Sequence, residues 1–143
     1  MTNDAAIAST VNPRKLFSVG QITLATFLGA PIAGSLLLAW NYRALQKATP
    51  AFQSIVYGLV STIILFVIAF LLPEKFPNSV LPVVYCLAMR QLVSYLQGDI
   101  IADHLARGGD KGSWAVTVVV GIGCLVVLFA IVFGLLLLYS VFY

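Results

Sequence analysis

Residues 51–72 carry no charged side chain and run directly into Pro73. That feature leaves few options for the fold. Roughly 20 apolar residues in a helix match the ~30 Å hydrocarbon core of a bilayer, and a proline, lacking the N–H that would continue the ladder, ends such a helix. An uncharged run of this length is buried either in a large protein core or in lipid, and composition decides between them. The chain has 143 residues, of which 61% are hydrophobic and only 9% charged. Soluble domains carry about a quarter charged residues to cover their exterior. Here eight bases and five acids cannot coat the surface, so lipid must cover the rest.

Three further segments fit the same description. Residues 19–40 form an apolar run behind a polar tail (1–18) that holds Pro13, Arg14 and Lys15. The run exceeds the short apolar core of a cleaved secretory leader, and reads as an uncleaved first crossing. Residues 114–140 lie within a stretch longer than a bilayer needs, which must tilt, bend near Gly121 and Gly123, or emerge at one end. Trp114, Tyr139, Phe142 and Tyr143 suit the two interfaces. Residues 79–97 are less uniform, because Arg90, Ser94 and Gln97 fall at i, i+4 and i+7 on one helical stripe. A crossing with that stripe turned inward and a helix lying in the interface are both open, and the length favours the crossing. The expectation is an all-α polytopic transmembrane bundle of four helices, with residues 19–143 forming one domain. Basic residues do not orient it. With four crossings, Arg14, Lys15 and Lys75 oppose Arg43, Lys47, Arg107 and Lys111, whereas an interfacial third helix gives six against two with the N-terminus inside.

Two places could carry function. In the first run, Gly29-Ala30-Pro31-Ile32-Ala33-Gly34 sets a proline among small residues. Pro31 should kink or loosen the helix, and Ala25, Gly29 and Ala33, like Ala30 and Gly34, recur at a spacing that lets backbones approach closely. A broken helix lining a substrate site is one reading. A tightly packed kinked helix is the plainer one and is preferred, because no matching broken helix occurs in a second half. The other place begins at Arg90, a cation at membrane depth, and continues through Gln97, Asp99, Asp103, His104 and Arg107. Asp99 and Asp103 share a helical face, Asp103 can pair with Arg107, and Gly108-Gly109 should end the helix. Two carboxylates with the chain's single histidine could hold a divalent metal or relay protons. Ordinary charge pairing at a helix end accounts for the same residues, so no metal is assigned.

The exclusions are broad. The scattered bases form no nucleic-acid footprint. No phosphate loop, dinucleotide fingerprint, Cys-x-x-Cys or nucleophile elbow occurs, so no cofactor and no catalytic set is assigned. Asp103 and Arg107 fall short of the aspartate array of membrane phosphatidyltransferases. Cys86 and Cys124 sit in apolar stretches as inert thiols rather than a disulfide.

The run Gly20-Gln21-Ile22 through Phe27-Leu28-Gly29-Ala30-Pro31-Ile32-Ala33-Gly34, closed by Asn41-Tyr42-Arg43-Ala44-Leu45, resembles the opening of small bacterial integral membrane proteins that have no assigned activity. Leu96-Gln97-Gly98 with His104 and Gly108-Gly109 is similar to a second stretch in such proteins. The resemblance implies a bacterial inner-membrane location and directs attention to the Gly-Pro-Gly kink and the Gln-Gly to Gly-Gly stretch.

Small size, small-residue stripes and the lack of a catalytic set lead to a non-catalytic membrane protein that binds a partner protein in the bilayer, as a subunit, scaffold or immunity-type protein. The alternative is a small transporter or channel subunit, working as a homo-oligomer, with Arg90 facing a polar cavity.

Overall fold

The computed structural model describes residues 15–77 and 79–142. The first fourteen residues of the tail, with Pro13 and Arg14, lie outside the described residues, as does Tyr143. Among the described residues the fold has four helices: α1 (Val19–Ala44), α2 (Ala48–Leu71), α3 (Val80–Ala106) and α4 (Trp114–Phe142). All are long and apolar enough to cross a membrane. The protein is a multi-pass α-helical membrane protein.

Local sequence explains the helix ends. Ser18 and Gln21 form a capping box at the start of α1, with the Ser18 N–H donating to Gln21 Oε1 at 2.9 Å and the Gln21 N–H donating to Ser18 Oγ at 3.3 Å. α1 and α3 both close in Schellman turns. In α3 the left-handed residue is Gly108 (φ 78°), and the Gly109 N–H reaches the His104 carbonyl at 2.9 Å. This is the stop that Gly108-Gly109 predicts. In α1 the corresponding residue is Gln46 (φ 61°), and the Lys47 N–H reaches the Tyr42 carbonyl at 2.8 Å. α2 stops at Leu71, just ahead of Pro73. α4 stays helical through Gly121 and Gly123.

α1 departs from the expected path. Residues 19–40 read as a crossing, and a straight helix of 26 residues would be about 39 Å long. Instead, the Phe17 N–H donates to Asn41 Oδ1 at 2.8 Å and Asn41 Nδ2 donates to the Phe17 carbonyl at 2.9 Å. The two ends of α1 therefore lie side by side. Helical geometry is lost at Gly29 (φ −123°, ψ 27°) and Ala30 (φ 62°, ψ −180°). There the chain reverses, so that residues 19–28 and 31–44 form two antiparallel arms. Pro31 explains the position of the break: it disfavours the helical region for Ala30, supplies no N–H, and suits the first position of the next arm. A Cβ on Gly34 would run into Thr26 of the opposite arm, and Phe17 packs edge-on against Trp40 at 5.8 Å. α1 is a re-entrant hairpin, not a kinked crossing.

The reversal frees backbone groups at membrane depth, where no water can satisfy them. The Ile32 N–H donates to Thr62 Oγ1 of α2 at 3.0 Å, and Thr62 donates in turn to the Gly58 carbonyl at 2.8 Å. α2 thus caps the second arm.

The hairpin is the core. α2, α3 and α4 each pack on α1 and scarcely touch one another. The first arm runs parallel to α4, with Gln21 near Gly112, Leu28 against Gly121, and Gly29 beside Gly121 and Cys124. The second arm lies along α2 (Ser35 against Gly58) and α3 (Gly34 against Met89). The small residues at 25, 29 and 34 thus serve close packing. With arms of about 15 and 20 Å, the hairpin fills one half of the bilayer. Its ends lie with the α1–α2 loop and the α3–α4 loop on what we term the near side, and residues 72–79 and the end of α4 lie on the far side.

Candidate functional site

Three polar regions emerge, and the sequence-derived cluster is divided among them. The first seals the hairpin mouth. Gln21 and Asn41 are fully buried and Gln97 is 1% exposed. Asn41 Nδ2 donates to Gln97 Oε1 at 3.0 Å, and Gln97 Nε2 reaches the Leu38 carbonyl at 3.5 Å. Gln21 Nε2 donates to the Gly112 carbonyl at 2.6 Å, while the Leu16 carbonyl accepts the Gly112 N–H at 2.9 Å. Among the described residues no buried side-chain polar atom lacks a partner. Gln21, Asn41 and Gln97, far apart in the sequence, are brought together by the fold. Gln21 and Asn41 were not singled out in the sequence. The available signals were Ser18-x-x-Gln21 and the placement of the two amides at equal distances on either side of Pro31.

The second region lies on α3. The inward stripe expected from Arg90, Ser94 and Gln97 is split. α3 meets the hairpin through Met89, Val93, Gln97 and Ile101, all buried and four residues apart. Arg90 and Ser94, one residue around from that series, are exposed, as are Gln91 and Tyr95. Arg90 sits about 15 Å of helix rise from Val80, at the level of Met89 and hence of Gly34 just past the hairpin turn. Among the described residues it has no hydrogen-bond or ion-pair partner. Its side chain leans toward the N-terminus of α3, as helical side chains do, and so toward the far side.

The third region is the near-side end of α3. Asp103 and Arg107 form the expected i, i+4 pair, Nη2 to Oδ2 at 3.0 Å, with both side chains largely exposed. His104 Nε2 lies 3.2 Å from the Asp110 carbonyl. Asp99 is exposed and makes no hydrogen bond or ion pair with them. No group of three His, Cys, Asp or Glu side chains among the described residues could hold a metal ion.

The cavities are apolar. One of about 430 Å³ lies beyond the hairpin turn, between Ala30, the far end of α2 (Leu65, Ala69), the start of α3 (Leu81, Tyr85) and α4 (Leu125, Phe129). Two more, about 550 and 460 Å³, follow the second arm between α2 and α4, and one of about 270 Å³ adjoins Pro31. Arg90 lines none of these four.

These features define a multi-pass helical membrane protein organised around a central re-entrant hairpin, with a polar strip on its outer surface. No protein-family model, curated protein or solved structure matches the chain.

Proposed function

We propose that this protein is a non-catalytic integral membrane protein that binds a partner protein inside the bilayer through the outer face of α3. The observation that carries this is Arg90, an exposed cation at membrane depth with no partner among the described residues. A charged side chain facing lipid near the bilayer centre costs at least about 2.5–3.5 kcal/mol. Gln91, Ser94 and Tyr95, exposed beside it, continue the strip, and Tyr95 is 86% exposed. Polar groups on adjoining helices satisfy such side chains by hydrogen bonding across an interface.

A second, parallel copy is a poor match. The described acids, Glu74, Asp99, Asp103 and Asp110, lie between the helices or toward the near-side end of α3, and the crossing part of α2 and all of α4 are uncharged. None sits at the depth of Arg90. The partner is therefore a different polypeptide that presents a carboxylate or a polar cluster near mid-membrane. The bacterial inner membrane is the proposed location, supported by the resemblance over residues 20–45 and 96–109.

The test is a photo-crosslinking residue placed at Tyr95, with Phe133 on α4 as the control position. Crosslinking at position 95 to a distinct polypeptide, lost in Arg90→Leu and absent at 133, is expected. Crosslinks at 95 to lipid alone, or only to other copies of this chain, refute the proposal.

A further inference from the structure

We propose that the cleft between α2 and α4 is a binding site for one anionic glycerophospholipid of the near-side leaflet, with its phosphate held at Arg43. The two cavities along the second arm share Leu36 and Val120, so they adjoin along one groove. Its floor is the second arm, and its walls are α2 and α4, which do not close over it because both pack on the hairpin instead of on each other. Deep in the groove lie Ile32, Leu59, Cys124 and Ile131. At its outer end stand Trp40 and Arg43.

Length, polarity and charge each point to the same occupant. From Ile32 to Arg43 the groove follows about 16 Å of helix rise, close to half of the ~30 Å hydrocarbon core. Its interior offers no free polar group: Thr62, the one hydroxyl along it, is already engaged by the Ile32 N–H and the Gly58 carbonyl. An acyl chain is satisfied by such a lining, whereas a polar ligand is not. Arg43, at the mouth, is exposed and has no ion-pair partner among the described residues. A guanidinium binds phosphate through two parallel hydrogen bonds. The adjacent start of α2 has no side-chain cap and no acid in its first turn, which also favours an anion there. Trp40, 53% exposed, sits where indoles occupy the bilayer interface.

The experiment is native mass spectrometry of the full chain, extracted in mild detergent from vesicles holding equal amounts of phosphatidylglycerol and phosphatidylcholine with identical chains. One phosphatidylglycerol retained per chain is expected, about five-fold or more over phosphatidylcholine, which corresponds to ~1 kcal/mol for one interfacial cation. Arg43→Gln, at an exposed position outside the core, should abolish the preference. Arg107→Gln, an equally near-side cation away from the groove, should leave it intact. Gly123→Leu should reduce retention of both lipids by obstructing the groove, since Gly123 faces open space and tolerates a side chain. Equal retention of the two lipids by the natural chain, an unchanged preference in Arg43→Gln, or equal loss in Arg107→Gln overturns the proposal.

Discussion

Phe17 and Asn41, 24 positions apart, hold each other through two hydrogen bonds, the Phe17 N–H to Asn41 Oδ1 at 2.8 Å and Asn41 Nδ2 to the Phe17 carbonyl at 2.9 Å. The Asn41 amide thus satisfies both backbone groups of the residue that leads into α1. It also joins them to Gln97 on α3. One side chain therefore closes the hairpin and ties it to a helix that follows much later in the chain.

This closure sets the sidedness of every loop. Single cysteines at Lys15, Lys47 and Lys111 should be labelled from the same side of sealed membranes by an impermeant maleimide, and a cysteine at Lys75 from the other. If α1 crossed the membrane, positions 15 and 47 would lie on opposite sides. With the hairpin, Lys15, Arg43, Lys47, Arg107 and Lys111 share the near side and Lys75 stands alone among the described basic residues in loops. The near side should therefore be cytoplasmic.

Replacing Asn41 by Leu should destabilise the protein by about 2–3 kcal/mol. The substitution leaves buried partners on Phe17 and Gln97 without bonds, and each orphaned group costs on the order of 1–3 kcal/mol before local relaxation. Thermal unfolding in detergent provides the measurement. Asp103→Asn serves as the contrast: its pair with Arg107 is exposed and should contribute no more than about 0.5 kcal/mol.

The turn itself is strained. Ala30 adopts φ 62°, ψ −180°, a region almost reserved for glycine. Ala30→Gly should stabilise the fold by roughly 1 kcal/mol despite the greater freedom of glycine in the unfolded chain. Thr62→Val should act in the opposite direction by about 1–2 kcal/mol, since it strands the Ile32 N–H in the apolar interior. A melting temperature that falls in Ala30→Gly would show that the turn is not held as described.

Gly34 and Thr26 should be coupled. Gly34→Ala places a methyl group against the Thr26 side chain, and overpacking of this kind costs about 1–3 kcal/mol. Adding Thr26→Ala should restore part of that loss, giving a non-additive double-mutant cycle. Additive behaviour would mean that the two arms do not touch there.

Residence in the membrane, the number of helices and most of their ends are determined by the sequence alone. Long uncharged runs cannot be covered by so few charges, Pro73 removes a donor, and Gly108 supplies a left-handed residue. The position of the break at Gly29-Ala30-Pro31 is equally local, because proline restricts its own residue and the one before it. Where the second arm goes after the break was decided only by the tertiary structure. A proline kink and a full reversal begin from the same residues, and the choice rests on Thr62, Gly121 and Gln97, which approach the hairpin from three other helices. The outward placement of Arg90 was settled in the same way. Helical periodicity puts Arg90, Ser94 and Gln97 on one stripe, but the hairpin selects the neighbouring series of Met89, Val93, Gln97 and Ile101 for burial. Arg90 is thereby turned to the surface, where the polar strip and the proposed partner site arise.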